Sequence, residues 1–316
     1  MKKCSLITSL LFVIILMTSC SEQIHSTVIN EHQPYAAKGD GYNIFIGDIS
    51  DLSFINGEST LLSSLPIYVD KYPFGQGGAL FESDQALLDL MTEKLQHFLS
   101  ILYDEISVPG YEIEQYSSEV SDKVFYNTGT TEIYAGVSGI SMITTEYDII
   151  DDILKGNLLE NKLIQTALEY MNIESPRIKE ITTYNINGEL SRYEYTITDT
   201  TDDFLQNIFN SSFSNIFVSY APSTTEVVLI INKYDFSEVY SYEPALPYEE
   251  ALEYIRTNYE TEDVSNINAE VYYSPTVEPG YFIPCYKFYI AESNKPNVQG
   301  DAIEYEIVHI PMALPY

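Results

Sequence analysis

The sequence predicts an α+β protein built of tandem modules in which a helix packs on antiparallel sheet, and three observations predict it. Short runs of alternating apolar residues recur along the chain with Gly, Asn or Pro between them. Amphipathic helical stretches interrupt those runs. The order helix, strand, turn, strand then occurs twice in the second half. A helix laid across an antiparallel sheet buries one face of each and leaves the other face wet, which is what such patterning describes.

Taken in order, Tyr42–Ile46 and Leu65–Val69 read as strands, and Gly75, Gly77 and Gly78 mark a loop. Ser83 reads as the N-cap of a long helix running to about Ile106, with Leu87, Leu88, Met91, Leu95, Phe98, Leu99 and Leu102 on its apolar face. Pro109-Gly110 stops it. Strands follow at Tyr111–Tyr116, Lys123–Asn127, Thr131–Val137 and Ile140–Tyr147, then a helix at Leu159–Met171. Ile178–Asn185 and Leu190–Thr198 alternate around Asn187-Gly188, a pair suited to a hairpin turn. A short helix at Asp202–Phe209 precedes strands Ile216–Ala221, Thr225–Asn232 and Ser237–Tyr242. A helix at Tyr248–Tyr259 begins after Pro247, and strands Asn268–Tyr273, Tyr281–Ala291 and Ala302–Ile310 close the chain.

The repeated order carries a sequence echo. Ala167-Leu168-Glu169-Tyr170-Met171 and Ala251-Leu252-Glu253-Tyr254-Ile255 each lead into two strands, so 159–198 reads as a possible duplicate of the later unit. The expected organisation is a signal peptide at 1–19, a tether at 20–41, an N-terminal α+β domain at 42–175 and a C-terminal one at 176–316.

The N-terminus carries an address. Lys2 and Lys3 precede an apolar run from Leu6 to Met17, then Thr18, Ser19 and Cys20, the order of a secretory signal. As a helix that run rises about 18 Å, short of a hydrocarbon core of about 30 Å. Leu16-Met17-Thr18-Ser19-Cys20 resembles the lipobox of bacterial lipoproteins, with Met17 where that family usually has leucine. The resemblance implies a lipid on Cys20, and two acyl chains at about 0.8 kcal/mol per buried methylene hold a protein to a membrane. Ser21 to Gly41 is polar and aperiodic, suited to a tether.

With 15 Lys+Arg against 47 Asp+Glu, the formal charge is −32, and loss of the two signal lysines would take it to −34. Such a chain lacks the clustered cations that bind phosphates or anionic lipid, so nucleic acid is excluded as a partner and the acyl chains would anchor alone. A cationic partner or weakly held Ca²⁺ suits this field, as does a merely solvated acidic surface. Of three cysteines, Cys4 leaves with the signal and Cys20 takes the lipid. Cys285 remains, in an apolar run that reads as a buried, inert thiol. Twenty-eight tyrosines and no tryptophan suit half-buried sheet faces, and equally surfaces that bind peptide or glycan.

The C-terminal stretch Leu246-Pro-Tyr-Glu-Glu-Ala-Leu-Glu-Tyr-Ile, then Ala269-Glu-Val-Tyr-Tyr, then Phe282-Ile-Pro-Cys-Tyr-Lys-Phe-Tyr-Ile, resembles extracytoplasmic PepSY-like and YycH/YycI-like proteins of Gram-positive bacteria. Over about the last 130 residues that resemblance implies tandem helix-on-sheet modules, often regulatory or inhibitory toward a partner protein.

No motif for nucleophilic, phosphate-binding, zinc or redox chemistry occurs in the sequence. Gly75-Gln76-Gly77-Gly78 reads as a turn and Ser138 as a hairpin residue. Of four histidines, His25 and His32 fall in the tether, His97 on the long helix and His309 near the last strand's end. A Cys285–His309 pair on neighbouring strands is the one conceivable thiol centre. Three acidic clusters stand out: Asp148, Asp151 and Asp152; Asp199, Asp202 and Asp203; and Glu260, Glu262 and Asp263. The first two are expected to precede helices, where negative charge is favoured, rather than to hold calcium. The expected function is that of a lipid-tethered extracytoplasmic protein, not an enzyme and without a cofactor, that binds or regulates an envelope protein through a Tyr-rich sheet face or edge strand. Alternatives are a lipoprotein that binds glycan or peptide, and an envelope enzyme working through paired carboxylates.

Overall fold

The computed structural model describes residues 42–46, 64–70, 85–103, 114–117, 122–136, 138–185, 187–234, 239–259, 267–275, 277–278, 280–291 and 303–313. Strands among these are β1 (Tyr42–Ile46), β2 (Ser64–Val69), β3 (Glu114–Ser117), β4 (Asp122–Asn127), β5 (Thr131–Gly136), β6 (Gly139–Thr144) and β7 (Pro176–Tyr184). They continue with β8 (Leu190–Asp199), β9 (Ser214–Ala221), β10 (Glu226–Lys233), β11 (Val239–Pro244), β12 (Ile267–Ser274), β13 (Tyr281–Ala291) and β14 (Ile303–Pro311). The helices are α1 (Gln85–Tyr103), α2 (Tyr147–Lys155), α3 (Lys162–Met171), α4 (Phe204–Phe213) and α5 (Tyr248–Asn258). The fold is α+β, as its patterning predicts. All strand pairs are antiparallel, in the order β11-β2-β13-β14-β1-β7-β8-β9-β10-β6-β5-β4-β3, with β12 on β13.

The apolar stripe of α1 does what its spacing requires. Met91, Leu95, Phe98, Leu99 and Leu102 are buried, and each such side chain contributes about 1.5–3 kcal/mol relative to exposure. They pack with α3 (Ile164, Ala167, Leu168) and with Val124, Ile133, Met142, Val218 and Leu229 from the sheet beneath. Strands on both sides of residue 175 therefore share this first cluster. A second cluster joins α4 and α5 to β12, β13 and β14 through Ile208, Phe213, Ala251, Leu252, Ile255, Val271, Tyr286 and Phe288. Of the two echoed units, the later helix shares a core with its own hairpin. The earlier one, α3, also reaches β9 and β10.

One segment departs from its predicted state. The sequence reading extends a strand to Tyr147 and places the cluster of Asp148, Asp151 and Asp152 ahead of a helix. These acids instead lie inside α2. Ile149 and Ile153, four residues apart, bury one helical face, and Gly156 at φ 73° closes the helix, its N–H donating to Ile153 and Asp152 carbonyls. Local helical period and a left-handed cap outweigh the β preference of three isoleucines.

The sheet curls. Along the path, β12 and β7 are separated by β13, β14 and β1, yet Lys179 of β7 reaches Glu270 of β12. The joint in this curl is short: β1 meets β7 over only Phe45↔Tyr184 and Ile46↔Thr183. β7 serves both sides, with Ile178 packed against the first cluster and Ile181 against a small third cluster of Ile46, Tyr289, Tyr305 and Ile307.

Candidate functional site

Cys20 lies outside the described residues, as do Ser83 and the third acidic cluster of Glu260, Glu262 and Asp263. In the other two acidic clusters, the side chains of Asp151, Asp152, Asp199 and Asp203 have partners within the chain. Asp151 pairs with Lys155 at 2.5 Å, Asp152 accepts from Asn161 Nδ2 at 2.8 Å, and Asp199 accepts the Ser175 N–H at 2.9 Å. Asp203 is the N-cap of α4, accepting from the N–H groups of Leu205 and Gln206. Among the described residues no group of three or more His, Cys, Asp and Glu is arranged to hold a metal ion.

Cys285 is fully buried in β13, and burial pushes its thiol well above the ordinary range. Its Sγ donates to the Ile283 carbonyl, while His309 bonds elsewhere. Register explains why: Cys285 stands opposite Pro311, one side-chain step from His309, which stands opposite Lys287. The two do not form a nucleophile–base pair.

Three adjacent strands instead align a polar row. Glu270 of β12 faces Lys287 of β13, which faces His309 of β14. Glu270 Oε1 accepts from Lys179 Nζ at 2.5 Å and its Oε2 accepts from the Tyr289 hydroxyl at 2.8 Å. Lys287 Nζ lies 4.9 Å from the centre of the Tyr289 ring, and the Tyr272 hydroxyl is hydrogen bonded to His309 Nδ1 at 2.6 Å. Burial alone would raise the Glu270 pKa; Lys179 and Lys287, with the Lys179 and Tyr289 hydrogen bonds, more than offset it, and the carboxyl stays below its ordinary value. Burial, helped by Lys287, lowers His309 to about 4. At neutral pH the row is thus an anion held between two ammonium groups beside an uncharged imidazole. It is satisfied from within, and its chemistry is that of a clasp between β7 and β12.

That row was hidden from the sequence because residues at 179, 270, 287 and 309 share no local spacing. Its one trace is that Glu270 and Tyr272, and Lys287 and Tyr289, stand two apart and so share a strand face.

Two tyrosine-bearing surfaces remain. On the far side of the first cluster's sheet, Phe125, Tyr134, Ser141, Ile230, Phe217 and Thr196 stand in one cross-strand row. All six are half-buried, and none belongs to a core cluster. The more exposed surface is β11, which ends the strand path and pairs, among the described residues, with β2 alone. Val239 is 40% exposed, Tyr240 41% and Tyr242 67%, three of the nine exposed large hydrophobics among the described residues, gathered on one short strand. Tyr240 sits at a register shift between Val239 and Ser241, and its ring meets that of Tyr281 edge-on at 4.8 Å.

Among the described residues no helix is long and apolar enough to cross a membrane. No protein-family model matches the chain, and no curated protein matches it. Among solved structures, the chain is similar to the crystal structure of an uncharacterized protein from Eubacterium rectale ATCC 33656, at 9% identity and a TM-score of 0.34, with 78% of this chain and 82% of that chain covered.

Proposed function

We propose that this chain is a lipoprotein, anchored through Cys20 on the extracytoplasmic side of a bacterial membrane, that binds an envelope protein without catalysing a reaction. The observation that carries the binding half is the exposed aromatic edge at β11. Edge strands are usually blunted by charge or cover, because unpaired backbone and apolar side chains invite association. Here Tyr240 and Tyr242 stand in solvent with large apolar faces and polar tips, the residue type enriched where proteins meet. The lipobox-like segment ending at Cys20 and the PepSY-like order of the C-terminal pattern support the same reading.

A photo-crosslinking residue in place of Tyr242 tests it in intact cells. One discrete protein adduct, recovered with the membrane, is expected. The same residue at Tyr147, an exposed tyrosine on α2, should give none. In the Cys20→Ala background the adduct should diminish and the chain should leave the membrane or accumulate unprocessed. Identical smears from positions 242 and 147, or a Cys20→Ala chain that matures and stays at the membrane, would each defeat the corresponding half of the proposal.

A further inference from the structure

We infer that the β11 edge receives an extended, Lys/Arg-bearing segment of its partner protein. This rests on the partner-binding reading above and adds the chemistry of the occupant. Between Lys233 and Arg256 the chain has Asp235, Glu238, Glu243, Glu249, Glu250 and Glu253 and no lysine or arginine, with five tyrosines in the same stretch. β11 lies in the middle of it. Glu249 and Glu250 are exposed in the first turn of α5, five and six residues past the strand's end. In the turn just before β13, exposed Glu278 acts electrostatically on Tyr281, the ring that Tyr240 touches.

Exposed tyrosine faces in a stretch of chain that carries acidic residues and no lysine or arginine attract ammonium and guanidinium groups both through the ring quadrupole and through net charge. A second copy of this chain is disfavoured as occupant, since each copy carries −32. A neutral glycan would stack on the tyrosines and hydrogen bond to carboxylates but would gain nothing from the net charge. The partner's backbone has little to pair with: the register shift at Tyr240 and the missing N–H of Pro244 restrict a regular ladder to Ser241–Glu243. Side-chain charge and ring contacts, rather than a long added strand, therefore carry recognition, and an extended segment presents alternate side chains to that edge.

A fluorescein-labelled peptide of alternating Lys and Thr, titrated into the mature full chain and followed by anisotropy, tests this. Saturable binding that weakens with salt is expected. The Tyr240→Leu/Tyr242→Leu double variant should bind about tenfold more weakly, and Tyr242→Leu alone about threefold. Tyr242→Phe, which keeps the ring, should bind as the parent does, and Glu249→Gln/Glu250→Gln should bind more weakly with a shallower salt dependence. Three results would overturn the inference: an undiminished affinity in the double Leu variant, an equal loss in Tyr147→Leu, or equal binding of the peptide with Glu in place of Lys. A discrete crosslink at Tyr242 in cells together with any of those results leaves the partner-binding reading standing and removes the cationic segment.

Discussion

His309 is the residue whose role differs most from what its type suggests. Seen alone, a histidine near a cysteine on neighbouring strands invites a catalytic reading; in the fold it is a nearly buried neutral imidazole bonded to Tyr272. Burial first, and Lys287 second, lower its pKa from 6.5 to about 4. Between those values the unfolded chain takes up a proton that the folded chain refuses. Its contribution to stability is therefore fully present above about pH 6.5 and is lost as pH falls toward 4. Glu270 acts in the same direction further into acid: its folded pKa is depressed, so its contribution holds above the unfolded value and disappears as pH falls through the folded one. Denaturation midpoints measured at steps from pH 7 to pH 4 should fall less steeply for His309→Gln than for the parent. Parallel slopes over that range would contradict the assignment.

At the scale of single elements, local chemistry set most starts and stops. Asp203 caps α4, Asn161 caps α3, and Gly156 ends α2, each by a hydrogen bond available within a few residues. The β6–β10 pair depends on something less local. A Cβ on Gly139 would lie 1.8 Å from the Ile231 carbonyl oxygen, which is backbone and has nowhere to go. Gly139→Ala should cost on the order of 3 kcal/mol in chemical denaturation, because the strands must part. Gly156→Ala, with open space around it and only a left-handed backbone to strain, should cost about 1 kcal/mol. Equal costs at the two sites would mean that β6 and β10 are less closely apposed than described. Gly139 is visible in the sequence as a turn residue. That it faces backbone of a strand 92 positions away is not.

For the whole molecule, the join between the two large apolar clusters is the vulnerable feature. β1 meets β7 over two residue pairs, and the Lys179–Glu270 pair ties the same curl from the other side. Both side chains are less than a third exposed, at 27% and 13%. Lys179→Met should cost about 1–3 kcal/mol, with Glu270 left to Lys287 and Tyr289. The loss should be local to the curl: amide exchange in β7 and β12 should quicken while α1, seated in the first cluster, keeps its protection. Uniform quickening across α1 would show that the clasp governs global unfolding instead. At this scale the β11 edge also gains its meaning: it ends the strand order and carries the exposed Tyr240 and Tyr242.

By itself the sequence determined most strands and helices, α2 excepted, which face of α1 is buried, that the acidic cluster ending at Asp203 lies at a helix start, and that Cys285 is an interior thiol. Each of these follows from periods of two or 3.6 residues, or from contacts a few residues long, so the information is contiguous in the chain. Tertiary structure alone decided that Glu270, Lys287 and His309 form a row, that Lys179 closes a curl, and that β11 ends the strand order with Tyr240 and Tyr242 exposed. Those outcomes depend on register and strand order between segments far apart in the chain, Lys179 and Glu270 by 91 positions and the β2–β13 pair Val69↔Tyr281 by 212, where a shift of one residue would send every side chain to the opposite face.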